Sequence, residues 1–340
     1  LFFLASHTMS FVIVFMWVSL LIRCHGAPVA GTCTNSATSP CSSTGTSATY
    51  SETISGAVRK ISAGGCPNNN PHTPCIGNNP SESSMQNWKF DIPASPKLIA
   101  ADYATSLAQS VSLSQVGGLI GVAINGVEIR SCYGGTKYGT CTNFANSATA
   151  VEGNTFDYCG GHGNPYHYHQ VPTCLVKQVG NRSDGSSGQV GWAADGFPVY
   201  GNKGPGGVLI KRCGQAGADA KWCADKCGGY YGSDYSDSFL YRYFMMGPDS
   251  DLNTNPVSPS ATTEYFPFLM YCLVGCGSVT ATGTDRTPTI GSKMKACTAN
   301  SAAGTVAGYV AAATAGVTGS YNVATGVATA TTSTGTPARP

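Results

Sequence analysis

His162, His167 and His169 lie within eight residues of one another in a chain that has only six histidines. Histidine is the common nitrogen ligand of transition metals and the usual proton-transfer group near neutral pH. His167 and His169 are two apart, so on a strand both imidazoles leave the same face, about 6–7 Å apart along it. Gly163-Asn-Pro165 is turn-forming and can fold His162 back over that pair. Three neutral imidazoles suit zinc or copper and leave a position for water or substrate. Tyr166 and Tyr168 would face the other way, rings in the core and hydroxyls at a wet edge. Asp157 and Asp195 are candidate partners that orient the imidazoles. A hydrogen-bonded His/Tyr network without an ion remains the alternative.

These side chains need a scaffold, and the pattern around them is that of strands. Asn87–Ile92 alternates and stops at Pro93. Leu119–Ile124 and Val127–Arg130 flank Asn125-Gly126, which predicts a hairpin with a type I′ turn. Further strands are expected at 166–171, 190–193, 197–200, 239–245 and 268–273, and brief helices near 106–111 and 216–226. Asp195-Gly196 is a second turn signal, and Asp195 can cap that turn, bind an ion or orient a histidine. The expected fold class is mostly β: a disulfide-rich antiparallel sandwich or irregular barrel with short helices and extended low-complexity ends.

The ends differ from this middle. Met9 is the expected initiator, with residues 1–8 upstream of it. The apolar run Phe11–Ile22 is short for a membrane helix, and small residues follow, so residues 1–26 read as a signal peptide cut after Gly26. Residues 27–86 read as a Ser/Thr/Pro/Cys-rich arm without a strand period, 87–297 as the β domain, and 298–340 as an Ala/Thr/Gly-rich tail. The tail is expected to be flexible, or to add strands to a neighbouring molecule. Of fifteen cysteines, all but Cys24 lie beyond the expected cut, enough for up to seven disulfides in an oxidising compartment. Asn181-Arg-Ser183 is a glycosylation sequon. The protein is therefore expected to be secreted, with no stable membrane span after cleavage.

A net charge of +2 with only 11% charged residues gives no basic surface for nucleic acid. Metalloprotease His-Glu-x-x-His, Gly-x-Ser-x-Gly and phosphate-loop motifs are absent from the sequence.

Cys159-Gly-Gly-His162, then Tyr166-His167-Tyr168-His169-x-x-Pro172, then Ala194-Asp195-Gly196-Phe-Pro-Val-Tyr200-Gly201 resemble the YHYH domain family. Tyr241-Arg-Tyr243 and Phe266-Pro267…Cys272…Gly275 resemble its closing segments, so the resemblance spans about residues 115–277. It implies a secreted or cell-surface domain, marks His162, His167, His169 and Asp195 as motif positions, and implies no particular reaction. The leading expectation is a zinc or copper site on the three histidines. If catalytic, zinc suits hydrolysis and copper suits oxygen or electron chemistry. Two other classes stay open: an extracellular structural or self-assembling protein, and a glycan-binding or glycan-acting module using Trp192 and Trp222.

Overall fold

The computed structural model describes residues 49–67, 85–248, 263–282, 289–313, 317–322 and 327–332, apart from Tyr158, Asn164 and Ser236. The expected signal peptide and most of the 27–86 arm lie outside the described residues.

In chain order, β1 (Tyr50–Ser55), β2 (Val58–Ala63) and β3 (Trp88–Pro93) come first. The short strands β4 (Lys97–Leu98) and β5 (Val111–Ser112) flank helix α1 (Tyr103–Ala108). Next come β6 (Leu119–Ala123), β7 (Glu128–Arg130), helix α2 (Ala148–Glu152), β8 (Gly161–His162), β9 (His167–Tyr168) and helix α3 (Thr173–Val179). They are followed by β10 (Gln189–Ala193), β11 (Pro198–Tyr200), β12 (Gly229–Tyr231) and β13 (Tyr241–Phe244). Last come β14 (Cys272–Leu273), β15 (Gly275–Cys276), β16 (Thr280–Thr282), β17 (Val317–Asn322) and β18 (Val327–Thr332).

The main sheet has eight strands in the order β12-β13-β11-β10-β6-β7-β9-β8, and a second has the order β1-β2-β3-β16. The alternation expected at 87–92 is real: Trp88, Phe90 and Ile92 point inward. Phe90 and Ile92 meet Leu119, Val122 and Trp192 of the main sheet, so the two sheets enclose one core. Each such side chain contributes roughly 1.5–3 kcal/mol of burial. Most pairings are antiparallel, but β7 runs parallel to β9, and β11 to β13. No closed barrel forms among the described strands.

Several expectations are corrected. The segment read as lacking strands holds β1 and β2, whose hairpin extends β3. The Asn125-Gly126 turn is not type I′. Gly126 N–H donates to Ala123 O and Ala123 N–H to Val127 O, with φ of 87° at Gly126. That is a three-residue loop ending in a left-handed glycine. Residues 216–226 form turns closed by the Cys213–Cys223 disulfide rather than a helix. The first part of the tail is bound to the domain. Ala302 and Gly304 N–H groups donate to Ala100 O and Pro96 O, and Tyr309 packs on Phe239 at 5.1 Å between ring centroids. Gly304 is needed there, because a Cβ would stand 2.4 Å from the Phe197 ring.

Described cysteines form Cys132–Cys141, Cys159–Cys174, Cys213–Cys223, Cys227–Cys272 and Cys276–Cys297, and Cys66 is also disulfide-bonded. The closely spaced pairs 223/227 and 272/276 are therefore disulfide halves and not metal ligands.

The main sheet is palindromic, and its two halves repeat one another in detail. β6 pairs β10 about a local two-fold axis: Gly121 opposes Ala193, Val122 opposes Trp192 and Ala123 opposes Gly191. The turn at Asp195-Gly196 copies the one at Asn125-Gly126, with the same two backbone bonds and φ of 84° at Gly196. Asp157-Tyr-Cys-Gly-Gly recurs as Asp225-Lys-Cys-Gly-Gly, and Tyr166-His167-Tyr168 as Tyr241-Arg242-Tyr243. The equivalence holds at the level of single bonds. Asp157 accepts from Tyr166 Oη and the Cys159 and Gly161 N–H groups; Asp225 accepts from Tyr241 Oη and the Cys227 and Gly229 N–H groups. The fold is thus an internal duplication, visible in the sequence only once the strand pairing is known.

Candidate metal centre

Each half of the main sheet has a histidine-equivalent position, and only the first half carries histidines there. His162 ends β8 and opposes His167 of β9. His169 follows β9 on the same face as His167. The reversal between β8 and β9, folding His162 over the pair, occurs as the turn residues predict. Ring centroids lie 4.5 Å (His162–His167), 4.8 Å (His167–His169) and 5.5 Å (His162–His169) apart. Tyr166 and Tyr168 occupy the opposite face, fully buried. Tyr166 Oη donates to Asp157 (2.6 Å), and Asn125 Nδ2 donates to Tyr168 Oη (3.0 Å).

A fourth group joins the three imidazoles. Glu152, the last residue of α2, places Oε2 3.3 Å from His162 Nε2 and 3.8 Å from His169 Nε2. One ligand atom from each of Glu152, His162, His167 and His169 lies within 4.8 Å of all the others. A tetrahedral ion with bonds of about 2.0–2.1 Å wants adjacent donors about 3.3–3.5 Å apart, so the group must contract modestly around an ion.

The far side of each ring shows which nitrogen faces the centre. His167 Nδ1 lies 2.7 Å from Pro165 O, and His169 Nδ1 2.6 Å from Ser131 O. A carbonyl only accepts, so both Nδ1 atoms carry the proton. His162 Nδ1 meets Thr155 Oγ1, whose own hydrogen goes to Glu152 O at 2.7 Å, so this hydroxyl accepts as well. All three rings are therefore held as the tautomer with a lone pair on Nε2, the form that binds metal. His162 Nε2 is buried without a hydrogen-bond partner. The 3.3 Å approach of Glu152 supplies no hydrogen to it while that carboxylate is ionised. Such an orphaned acceptor is costly in an interior, and a bound ion is one partner that would satisfy it.

Electrostatics agree with this geometry. Burial pushes the His162 and His167 imidazoles well below their ordinary range and His169 down to about 3. The neighbouring Arg130 charge acts on all three in the same direction. Burial pushes Glu152 up to about 7, with Arg130 opposing. Neutral imidazoles beside an ionisable carboxylate form a donor set for a divalent cation.

Asp157 and Asp195 are not the imidazole partners. Asp157, pushed to about 7 by burial, holds Tyr166 and its own turn. Asp195, pushed to about 6 by burial, accepts from Tyr243 Oη (2.7 Å) and Gly275 N–H (2.9 Å) in the second half. The ring-orienting groups are two backbone carbonyls and one threonine, and the carbonyls have no signature in sequence. Glu152 has no sequence signature either, because nothing in Ala148-Thr-Ala-Val-Glu152 separates it from other acidic residues. Trp192 is buried, its Nε1 donating to Glu52 under the Arg59 guanidinium, and so offers no face to a sugar. Asn181 is exposed, as the sequon requires.

Replacing Thr155 by valine keeps the shape and removes the acceptor for His162 Nδ1–H. Affinity for the ion is expected to fall about 10- to 100-fold, measured by competition with a chromogenic chelator.

Three imidazoles and one carboxylate at the edge of a duplicated sheet define a mostly β domain with a candidate metal centre. Residues 89–238 match the family model described as YHYH protein, and this part of the chain is a YHYH domain. No curated protein and no solved structure matches the chain.

Proposed function

We propose that this YHYH domain binds one zinc or copper ion through His162, His167 and His169, with Glu152 as the fourth group. The observation that carries the reading is the common tautomer: three Nδ1–H groups are tied to protein acceptors, and their Nε2 lone pairs share one space with a carboxylate. The second half supports it from another direction. Arg242 stands where His167 stands in the first half, is fully buried, and pairs with Asp237 at 2.9 Å. That position holds a cation in both halves if the first binds an ion.

When bound, zinc would supply Lewis acidity, and copper would supply redox chemistry. The chain's own part follows from burial. His162, His167 and His169 are 7%, 6% and 4% exposed, whereas the Glu152 side chain is 29% exposed. Solvent thus reaches the centre on the Glu152 side, where its carboxylate would complete the donor set or hold a proton at its solvent-facing oxygen. Five described disulfides support an extracellular setting. No helix among the described residues is long and apolar enough to cross a membrane.

The test is metal content of untagged protein after dialysis against zinc or copper. About one ion per chain is expected, and less than about 0.2 would remove the reading. Its pH dependence is specific. The imidazoles are already neutral at pH 6, so below about pH 7 the ion competes mainly with the proton on Glu152. Affinity should then fall about tenfold per pH unit as pH drops from 7 to 5. A slope near three decades per unit would mean that the histidines titrate in the free protein, against this site.

A further inference from the structure

Among the described residues, Arg130 is the one cation at this centre, and the metal reading leaves it without a task. It ends β7, one residue beyond the Ile129–Tyr168 pairing, which sets it level with His169 on the parallel neighbour. Its Nε donates to Glu128 Oε2 at 2.7 Å. Its two Nη groups carry no hydrogen bond to any described residue. The side chain is 12% exposed, so Arg130 and Glu152 together form the solvent edge of a centre whose imidazoles are almost wholly covered.

The charges are unequal with and without an ion. Ionised Glu128 and Glu152 against Arg130 leave one negative charge, which favours entry of a cation. A divalent ion would reverse the sign to one positive charge beside two Nη groups that bond no described residue. A half-buried site of that sign takes an anion.

The duplicated half shows which anion fits. Arg242 occupies the His167 position, and Tyr200 occupies the Arg130 position, level with Phe244 as Arg130 is with His169. Between them lies the Asp237 carboxylate. It accepts from Arg242 Nη2 at 2.9 Å, from Arg242 Nε at 3.2 Å and from Tyr200 Oη at 2.9 Å. The second half therefore builds a cation–carboxylate pair entirely from its own side chains. The first half has the matching donor, Arg130, and no described carboxylate bonded to its Nη edge.

We propose, resting on the metal reading above, that the first half binds a carboxylate from solution, held between the ion and the Nη edge of Arg130. The ligand class is a small carboxylic acid anion or the carboxylate of a larger molecule. Bidentate guanidinium recognition gives the selectivity over neutral amides.

The experiment uses the full chain loaded with Cu(II), titrated with acetate at fixed ionic strength and followed by electron paramagnetic resonance. Acetamide is the neutral control. Copper per chain is measured first for every variant. Acetate should shift the copper spectrum of the parent protein and acetamide should not. Arg130→Gln should weaken acetate at least tenfold at unchanged copper content, with Arg130→Lys between the two. Equal acetate affinity in parent and Arg130→Gln would overturn the proposal, as would an equal response to acetamide. Failure to load copper or zinc at all would instead overturn the metal reading, and this inference with it.

Discussion

Replacing any one of His162, His167 or His169 by alanine is expected to lower ion affinity by more than about 100-fold, beyond the loss typical of an outer partner. At metal concentrations that give the parent one ion per chain, the variants should hold less than about 0.2. Their thermal midpoints should then be insensitive to chelator. The parent should lose about 4 kcal/mol of apparent stability when an ion present at 1,000 times its dissociation constant is removed. The contrast separates a metal centre from a hydrogen-bonded cluster. In the latter, chelator changes nothing in the parent, while each alanine costs stability by leaving Ser131 O, Pro165 O or Thr155 unpaired. Glu152→Gln is milder, since three imidazoles remain.

The second large effect comes from a glycine. A Cβ at Gly161 would lie 2.4 Å from Tyr166 Cζ and 2.5 Å from its hydroxyl. Tyr166 cannot yield, being fully buried and bonded to Asp157 at 2.6 Å. Gly161→Ala therefore forces apart the strand pair that carries His162 and His167. A loss of about 3 kcal/mol is expected in denaturant unfolding, together with loss of the ion. Gly229 is its equivalent, where a Cβ would lie 2.2 Å from Tyr241 Oη. Gly229→Ala should cost as much stability, yet the folded protein should keep its ion, because that half holds Arg242 instead. Gly117→Ala, whose Cβ meets only Tyr133 at 3.8 Å, should stay within about 0.5 kcal/mol of the parent. If Gly161→Ala matched Gly117→Ala, the packing account of the Tyr166 strand would be wrong.

These two predictions mark what could be read from sequence. The histidine cluster, its shared face and the opposed tyrosines follow from a period of two and a turn-forming Gly-Asn-Pro, both local properties. The mostly β class follows from the same short-range patterns. The rest depends on contacts between distant segments. Ser131 and His169 are far apart in sequence and touch through a backbone carbonyl, which every residue has. Glu152 reaches the centre because a five-residue helix ends there, too short to leave a helical period. Asp157 and Asp195 were natural partners for imidazole by type, but buried carboxylates need donors, and tyrosine hydroxyls and backbone N–H groups already supply them. The repeat has little sequence signature because its two copies carry different chemistry: His162, His167 and His169 against Tyr230, Arg242 and Phe244. What the copies share is mostly glycine, tyrosine and aspartate, the residues that fix the turns and the Tyr–Asp bonds rather than the site.

That division gives the duplicated sheet a physical sense. The frame needs Asp157 on Tyr166 and Asp225 on Tyr241 in equal measure. The space in front of each frame is then free to differ. One copy fills it with a guanidinium–carboxylate pair that requires nothing from outside. The other presents lone pairs and an unsatisfied nitrogen, and on the proposed reading takes its charge from solution.

The central claim is that this charge is an ion held by His162, His167 and His169. X-ray absorption at the metal edge of zinc-loaded protein tests it most directly by counting imidazoles in the coordination sphere. Three imidazole nitrogens at about 2.0–2.1 Å, falling to two in His169→Ala, are predicted. One imidazole or none, or a sulfur shell at about 2.3 Å, would contradict it.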